Sequence, residues 1–173
     1  MAGKHACARA AIALSITGMI LTAAPQLAQA QDSPTWQQHR HRVIERARTA
    51  LGTRYSYGGT SPSSGFDCSG YTRWVYANHV ALPHSSMDQF NMASRKGFKR
   101  VWRIRNLERG DLVFFKTTSA RVGHAGMYIG RGRFIHSNSS GGHVRISSIW
   151  DRYYYKPRFV GATRTPYTQR YRR

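Results

Sequence analysis

The hydrophobic period of this chain changes once, and that change limits what it can fold into. Up to Arg109-Gly110 the apolar residues recur at helical spacing; beyond it they alternate with period two among β-branched and aromatic residues. Helices first and an antiparallel sheet afterwards predict an α+β domain. Trp36, Arg40, Val43-Ile44, Ala47 and Leu51 mark a first helix, with Ser33 as cap, Pro34 at its first position and Gly52 as its stop. One face of this helix is expected on the domain and its Arg and His residues in solvent. Residues 53–66 read as loop, and Cys68 to about His79 as a second helix ended by Leu82-Pro83. A shorter third helix, capped by Ser85 or Ser86, runs through Met87, Phe90 and Met92 and stops near Gly97. Strands are predicted over 111–116, 123–129, 133–137, 143–147 and 158–163.

The first thirty residues stand apart. Lys4 and Arg9 precede an apolar run from Ala10 to Ala24, and Ala28-Gln29-Ala30 offers a small-x-small cleavage site before Gln31. This pattern predicts a secretory signal peptide, too short and wrongly flanked for a membrane span, and hence an exported protein of the periplasm, envelope or medium. Residues 31–163 are then expected to form one catalytic domain, and 164–173 a basic, loose tail. Of the two cysteines only Cys68 survives cleavage, so the mature chain has no internal disulfide. Cys68 is either a functional thiol or a passive core residue. A net charge of +20 attracts polyanions. Export turns that expectation away from nucleic acid and toward anionic cell-envelope polymers, peptidoglycan carboxylates or acidic lipid head groups.

The Gly-rich approach Gly58 to Gly65 delivers Cys68 to the first turn of the second helix, where unpaired N–H groups and the helix dipole favour thiolate. A cysteine nucleophile needs a base and a group that orients the base. Gly130-Arg131-Gly132 reads as a hairpin loop, and a hairpin symmetric about Arg131 sets Gly126 opposite His136. His124 is then the diagonal neighbour of His136 on the same face, about 7–8 Å away at the backbone, and Gly126 leaves room between the rings. Ala125, Met127, Ile129 and Ile135 form the opposite, core-facing set; a one-residue slip would separate the histidines. A zinc site from Cys68, His124 and His136 lacks a close-spaced ligand pair, so neither metal nor organic cofactor is expected. Tyr55 is placed to line the pocket, and Tyr57 is assigned to the core. Asp67 reads as a helix cap or as a holder of a substrate ammonium group. The Ser69 N–H can help stabilise an oxyanion, and Asp111 is read as structural.

These residues resemble a known family. Tyr55-x-Tyr57-Gly58-Gly59, Gly65-Phe66-Asp67-Cys68-Ser69-Gly70, Leu82-Pro83, Gln89, Gly110-Asp111-Leu112-Val113-Phe114-Phe115, Gly123-His124-Ala125-Gly126-Met127-Tyr128-Ile129-Gly130 and Phe134-Ile135-His136 occur in the order seen in NlpC family cell-wall peptidases. The resemblance runs from about residue 40 to 164. It implies a papain-like fold, N-terminal helices packed on a small antiparallel sheet, with Cys68 as nucleophile, His124 as base and His136 orienting His124. It also implies that Tyr55, Asp67 and Ser69 line a substrate pocket for peptidoglycan peptides. The function expected is hydrolysis of stem peptides or their cross-links by an exported cysteine endopeptidase. The alternatives are an inactive wall-binding protein, or a secreted effector using the same chemistry. Ala125, His84 and Arg109 depart from the commoner family residues and bear on substrate preference.

Overall fold

The structure, a computed structural model, describes residues 35–169. The signal peptide expected over residues 1–30 and the cap expected at Ser33-Pro34 lie outside the described residues. In chain order the elements are helix α1 (Trp36–Thr49), the two-residue strands β1 (Thr60–Ser61) and β2 (Gly65–Phe66), helices α2 (Cys68–Tyr76) and α3 (Ser86–Asn91), and strand β3 (Lys99–Val101). There follow β4 (Leu112–Phe115), β5 (His124–Gly130), β6 (Arg133–Asn138), β7 (His143–Ser148), the short helix α4 (Tyr155–Arg158) and β8 (Phe159–Arg164). The α1 cap is Thr35, in a reciprocal box with Gln38.

The six larger strands form one antiparallel sheet in the order β3-β8-β4-β5-β6-β7. All five strands predicted from the period-two pattern are present, within one residue at each end. Strand β3 escaped that reading because three residues are too few to show a period. Alternation sorts the side chains. Leu112, Phe114, Ala125, Met127, Ile129 and Ile135 join Val43, Ile44, Ala47, Tyr71 and Val75 of the helices in one core. Val113, Phe115, Tyr128, Phe134 and Ala162 form a second core on the other face, closed by Ile149 and Tyr155. The sheet is thus covered on both faces, which is why β4 is an unbroken apolar run.

Two expectations are corrected by polar fastening that leaves no periodic trace in a sequence. Residues 164–169 are not a loose tail. Arg164 closes β8 with its Nε and one terminal nitrogen 2.8 Å from the two carboxylate oxygens of Asp111, and its other terminal nitrogen 2.5 Å from Glu108. Beyond it Thr165 and Thr168 are buried, and the Gln169 side chain donates to the Gly97 carbonyl. Nor does α1 leave all its cations in solvent: Arg40 donates to Glu108 Oε2 and to the Thr168 carbonyl, each at 2.6 Å. The physical cause is Asp111. Fully buried, its carboxyl is pushed upward by desolvation and needs the facing guanidinium to stay ionised.

An Arg164→Met substitution strands Asp111 without its counter-ion, and the expected loss is about 3–5 kcal/mol of unfolding free energy. Urea denaturation followed by circular dichroism measures it; a loss under about 1 kcal/mol, the worth of an exposed pair, would return these residues to the status of a loose tail.

Candidate active site

Asp67 fixes where α2 begins. Its backbone is extended, and its Oδ1 accepts from the Gly70 N–H at 2.6 Å and from Ser69 Oγ at 3.0 Å. Oδ2 accepts from the Gly58 N–H at 3.1 Å and lies 2.8 Å from His84 Nε2. Asp67 thus caps the helix, as one of its two readings has it, and it lines the cleft with its oxygens occupied by the protein's own donors. Glycines allow the loop to close this tightly. A Cβ on Gly70 would sit 2.1 Å from the Gly59 carbonyl oxygen, and one on Gly59 would sit 2.4 Å from that of Gly65. On the far side of the turn, buried Gln89 donates to the carbonyls of Ser69 and Pro83 at 2.9 and 2.8 Å and accepts from Thr72.

This turn presents Cys68, half-buried, to a cleft of about 740 Å³. Tyr55, Asp67, Ser69 and His124 line the same cleft, so every predicted site residue but one reaches it. The exception is His136, which is fully buried behind His124. The β5–β6 register is the predicted one, with Met127 facing Ile135 and Tyr128 facing Phe134. It brings His124 Nε2 to 2.8 Å from His136 Nδ1. A Cβ on Gly126 would come within 3.0 Å of His136 Cβ, so glycine is what gives the pair its space.

The chain of contacts continues to a residue that the sequence reading missed. His136 Nε2 is 2.9 Å from Ser147 Oγ, the Tyr155 hydroxyl stands 3.5 Å away, and the Phe134 ring stacks on His136 at 4.7 Å. Ser147 had a signal. Asn138 pairs with His143 across the Ser139–Gly142 turn, and that register sets Ser147 diagonal to His136 on one face. Tyr57, assigned to the core, is instead 93% exposed and lines the cleft mouth; its aromatic ring misled because it sits in a loop with no neighbouring strand to cover it.

Burial pushes the Cys68 thiol up; the Ala125 N–H opposes this, Asp67 adds to it, and the N–H groups of Ser69 and Cys68 oppose it. Those N–H groups surround the sulfur, and Ala125 directly follows His124. Burial lowers His124 to about 4 and His136 further still, with His124 and Arg145 adding to the latter. Burial, then the charges of Cys68 and Asp67, raise the Tyr55 hydroxyl. At neutral pH the resting site is thus a thiol beside an uncharged imidazole. With His124 Nε2–H donating to His136 Nδ1, His136 Nε2–H donates to Ser147, and His124 Nδ1 is left as the acceptor. A one-way proton arrangement of this kind suits a thiol nucleophile and its base. Among the described residues there is no cluster of three or more His, Cys, Asp or Glu able to hold a metal ion.

Residues 52–164 match the sequence profile of the NlpC/P60 family. The murein DD-endopeptidase MepH of Escherichia coli is 34% identical over 125 residues, covering 69% of this chain and 44% of its own. The probable peptidoglycan endopeptidase LytE of Bacillus subtilis is 37% identical over 123 residues, covering 71% of this chain and 34% of its own. The chain thus spans less than half the length of these relatives. A crystal structure from Staphylococcus aureus, described as similar to a lipoprotein of the NLP/P60 family, superposes with a TM-score of 0.63 at 27% identity. It covers 80% of this chain and 45% of that one. The fold is accordingly the α+β, papain-like one.

Because His124 and His136 bind protons more weakly folded than unfolded, where imidazole titrates near 6.5, their contribution to stability is complete above that pH. Unfolding free energy is expected to fall between pH 6.5 and pH 4, by up to about 1.4 kcal/mol per pH unit per histidine. Urea titrations at several pH values measure the slope, which should shrink in His136→Gln; a slope unchanged by that substitution would contradict the buried, neutral state of His136.

Proposed function

The chain belongs to the NlpC/P60 family, and on that premise we propose that it is a cysteine endopeptidase hydrolysing peptide bonds in peptidoglycan. The observation that carries this reading is the shared cleft of Cys68 and His124, with His136 and Ser147 behind the imidazole.

In the proposed reaction the Cys68 thiol passes its proton to His124 Nδ1 as sulfur attacks the scissile carbonyl. The oxyanion is stabilised by main-chain N–H groups at the start of α2, those of Cys68 and Ser69, with the Tyr55 hydroxyl beside them. Collapse of the tetrahedral intermediate breaks the C–N bond, and the leaving amine takes the proton from His124. Water, deprotonated by His124, then cleaves the thioester and regenerates the thiol. His136 keeps His124 in the tautomer with Nδ1 unprotonated, and Ser147 does the same for His136. Asp67 and Ser69 shape the pocket for the stem peptide; Asp67 also opposes a resting thiolate, so proton transfer to His124 has to accompany attack. His84, beside Asp67, takes a share in substrate preference. The same reading makes the protein an exported one, cleaving either within a stem or at a cross-link, and makes its positive charge a means of attachment to anionic polymers of the envelope.

Digestion of purified sacculi by the protein, by Cys68→Ala and by His124→Ala, with products weighed by mass spectrometry, tests the reading. Soluble peptides from the native protein alone are expected, and their masses name the bond; equal release by all three would remove Cys68 from the chemistry. Ser147→Ala removes one hydrogen bond from a relay that acts on proton transfer, so kcat is expected to fall about tenfold with KM nearly unchanged. A change confined to KM would contradict the relay.

A further inference from the structure

A second cavity, of about 540 Å³, shares no lining residue with the cleft. Helix α1 contributes His39, Arg42, Arg46 and Thr49, spaced by three or four residues and therefore on one face. The end of α2 and the turn after it add Trp74 and His79. The expectation that His39 is a solvated helix residue fails here: its ring packs edge-on against His79 at 5.4 Å, and Tyr167 packs against both.

The wall of this cavity is cationic without an internal reason. Among the described residues no carboxylate lines it. The other two arginines of α1 have partners, Arg40 in Glu108 and Arg48 in Glu45. Arg42 and Arg46 take part in no ion pair among the described residues, although like charges one turn apart oppose helix formation. The Arg46 guanidinium lies 4.3 Å from the Trp74 ring centroid, which fixes its plane before any ligand arrives. His39 Nδ1 and Arg46 Nε are shut off from solvent with no hydrogen-bond partner among the described residues, so neither is committed to a protein acceptor. Burial, followed by His39, Arg42 and Arg46, lowers His79, as a net positive surrounding requires.

We propose that this cavity binds an anionic polymer bearing phosphate or carboxylate groups, with Arg42 and Arg46, one helical turn apart, engaging successive charges beside the Trp74 face. This gives the polyanion expected from the overall charge a built location, and it holds whether or not the chain hydrolyses peptides. The cavity differs from a diffuse basic surface in having fixed donors, an aromatic wall and, among the described residues, no acid to compete.

Isothermal titration of the full chain with linear polyphosphate and with polyglutamate tests the site. Arg42→Gln/Arg46→Gln is expected to raise Kd about tenfold or more. Arg131→Gln/Arg133→Gln removes the same charge from the exposed β5–β6 hairpin and should raise it about twofold at most. Arg42→Gln alone, which spares both the Arg46–Trp74 stack and the His39–His79–Tyr167 ring cluster, should weaken binding too while leaving the melting temperature unchanged. Tighter binding of one polymer assigns the source, phosphate or carboxylate. Equal losses in the cavity and hairpin variants, wild-type affinity in either cavity variant, or no binding of either polymer would overturn the proposal.

Discussion

A single carboxylate holds the start of α2 in place, and the site depends on it. Asp67 gathers two backbone N–H groups, the Ser69 hydroxyl and His84, tying the glycine loop, the first helical turn and the segment after Leu82-Pro83 to one point. An uncapped turn frays; a capped one presents Cys68 at a fixed position with main-chain donors around its sulfur. Asp67 acts in two opposed ways. Its geometry positions the cysteine while its charge disfavours thiolate, and burial disfavours thiolate more strongly still. The consequence is a neutral resting pair rather than a standing ion pair, and in the proposed mechanism the weight of activation falls on His124.

The β5–β6 register supplies the other half of the site and part of the core by the same constraint. Side chains alternate, so the register that buries Ala125, Met127, Ile129 and Ile135 against the helices also sets His124 beside His136. Slipping by one residue would expose the core face and break the pair together. That coupling explains how a hydrogen bond between two histidines can be specified by apolar residues.

It also explains how much was legible in the sequence. The first three helices, five of the six strands of the main sheet, the hairpin and the meeting of His124 with His136 follow from periodicity and turn chemistry, which are local; β3 and α4 are too short to show a period. What escaped is long-range and polar. Arg164 reaches back to Asp111 and Glu108, Arg40 reaches Glu108 and the Thr168 carbonyl, and Gln89 fastens Ser69 to Pro83. None of these has a spacing to detect. Ser147 lies between the two cases, because one further hairpin register would have found it. Tyr57 shows the opposite failure, an aromatic residue that composition assigns to a core and a loop leaves in the open.

In the proposed mechanism His124 takes the proton of a thiol that would otherwise stay protonated until alkaline pH. The most direct test is the rate at which iodoacetamide alkylates Cys68, followed from about pH 4 to about pH 10 in the protein and in His124→Gln. A coupled thiol–imidazole pair keeps one shared proton over a wide range, so the native protein should show a rate plateau from about pH 5 to about pH 8. In His124→Gln that plateau should vanish, leaving only the alkaline rise of an isolated, buried thiol. Superimposable profiles in the two proteins would show that His124 does not act on Cys68, and the account of the site would fail.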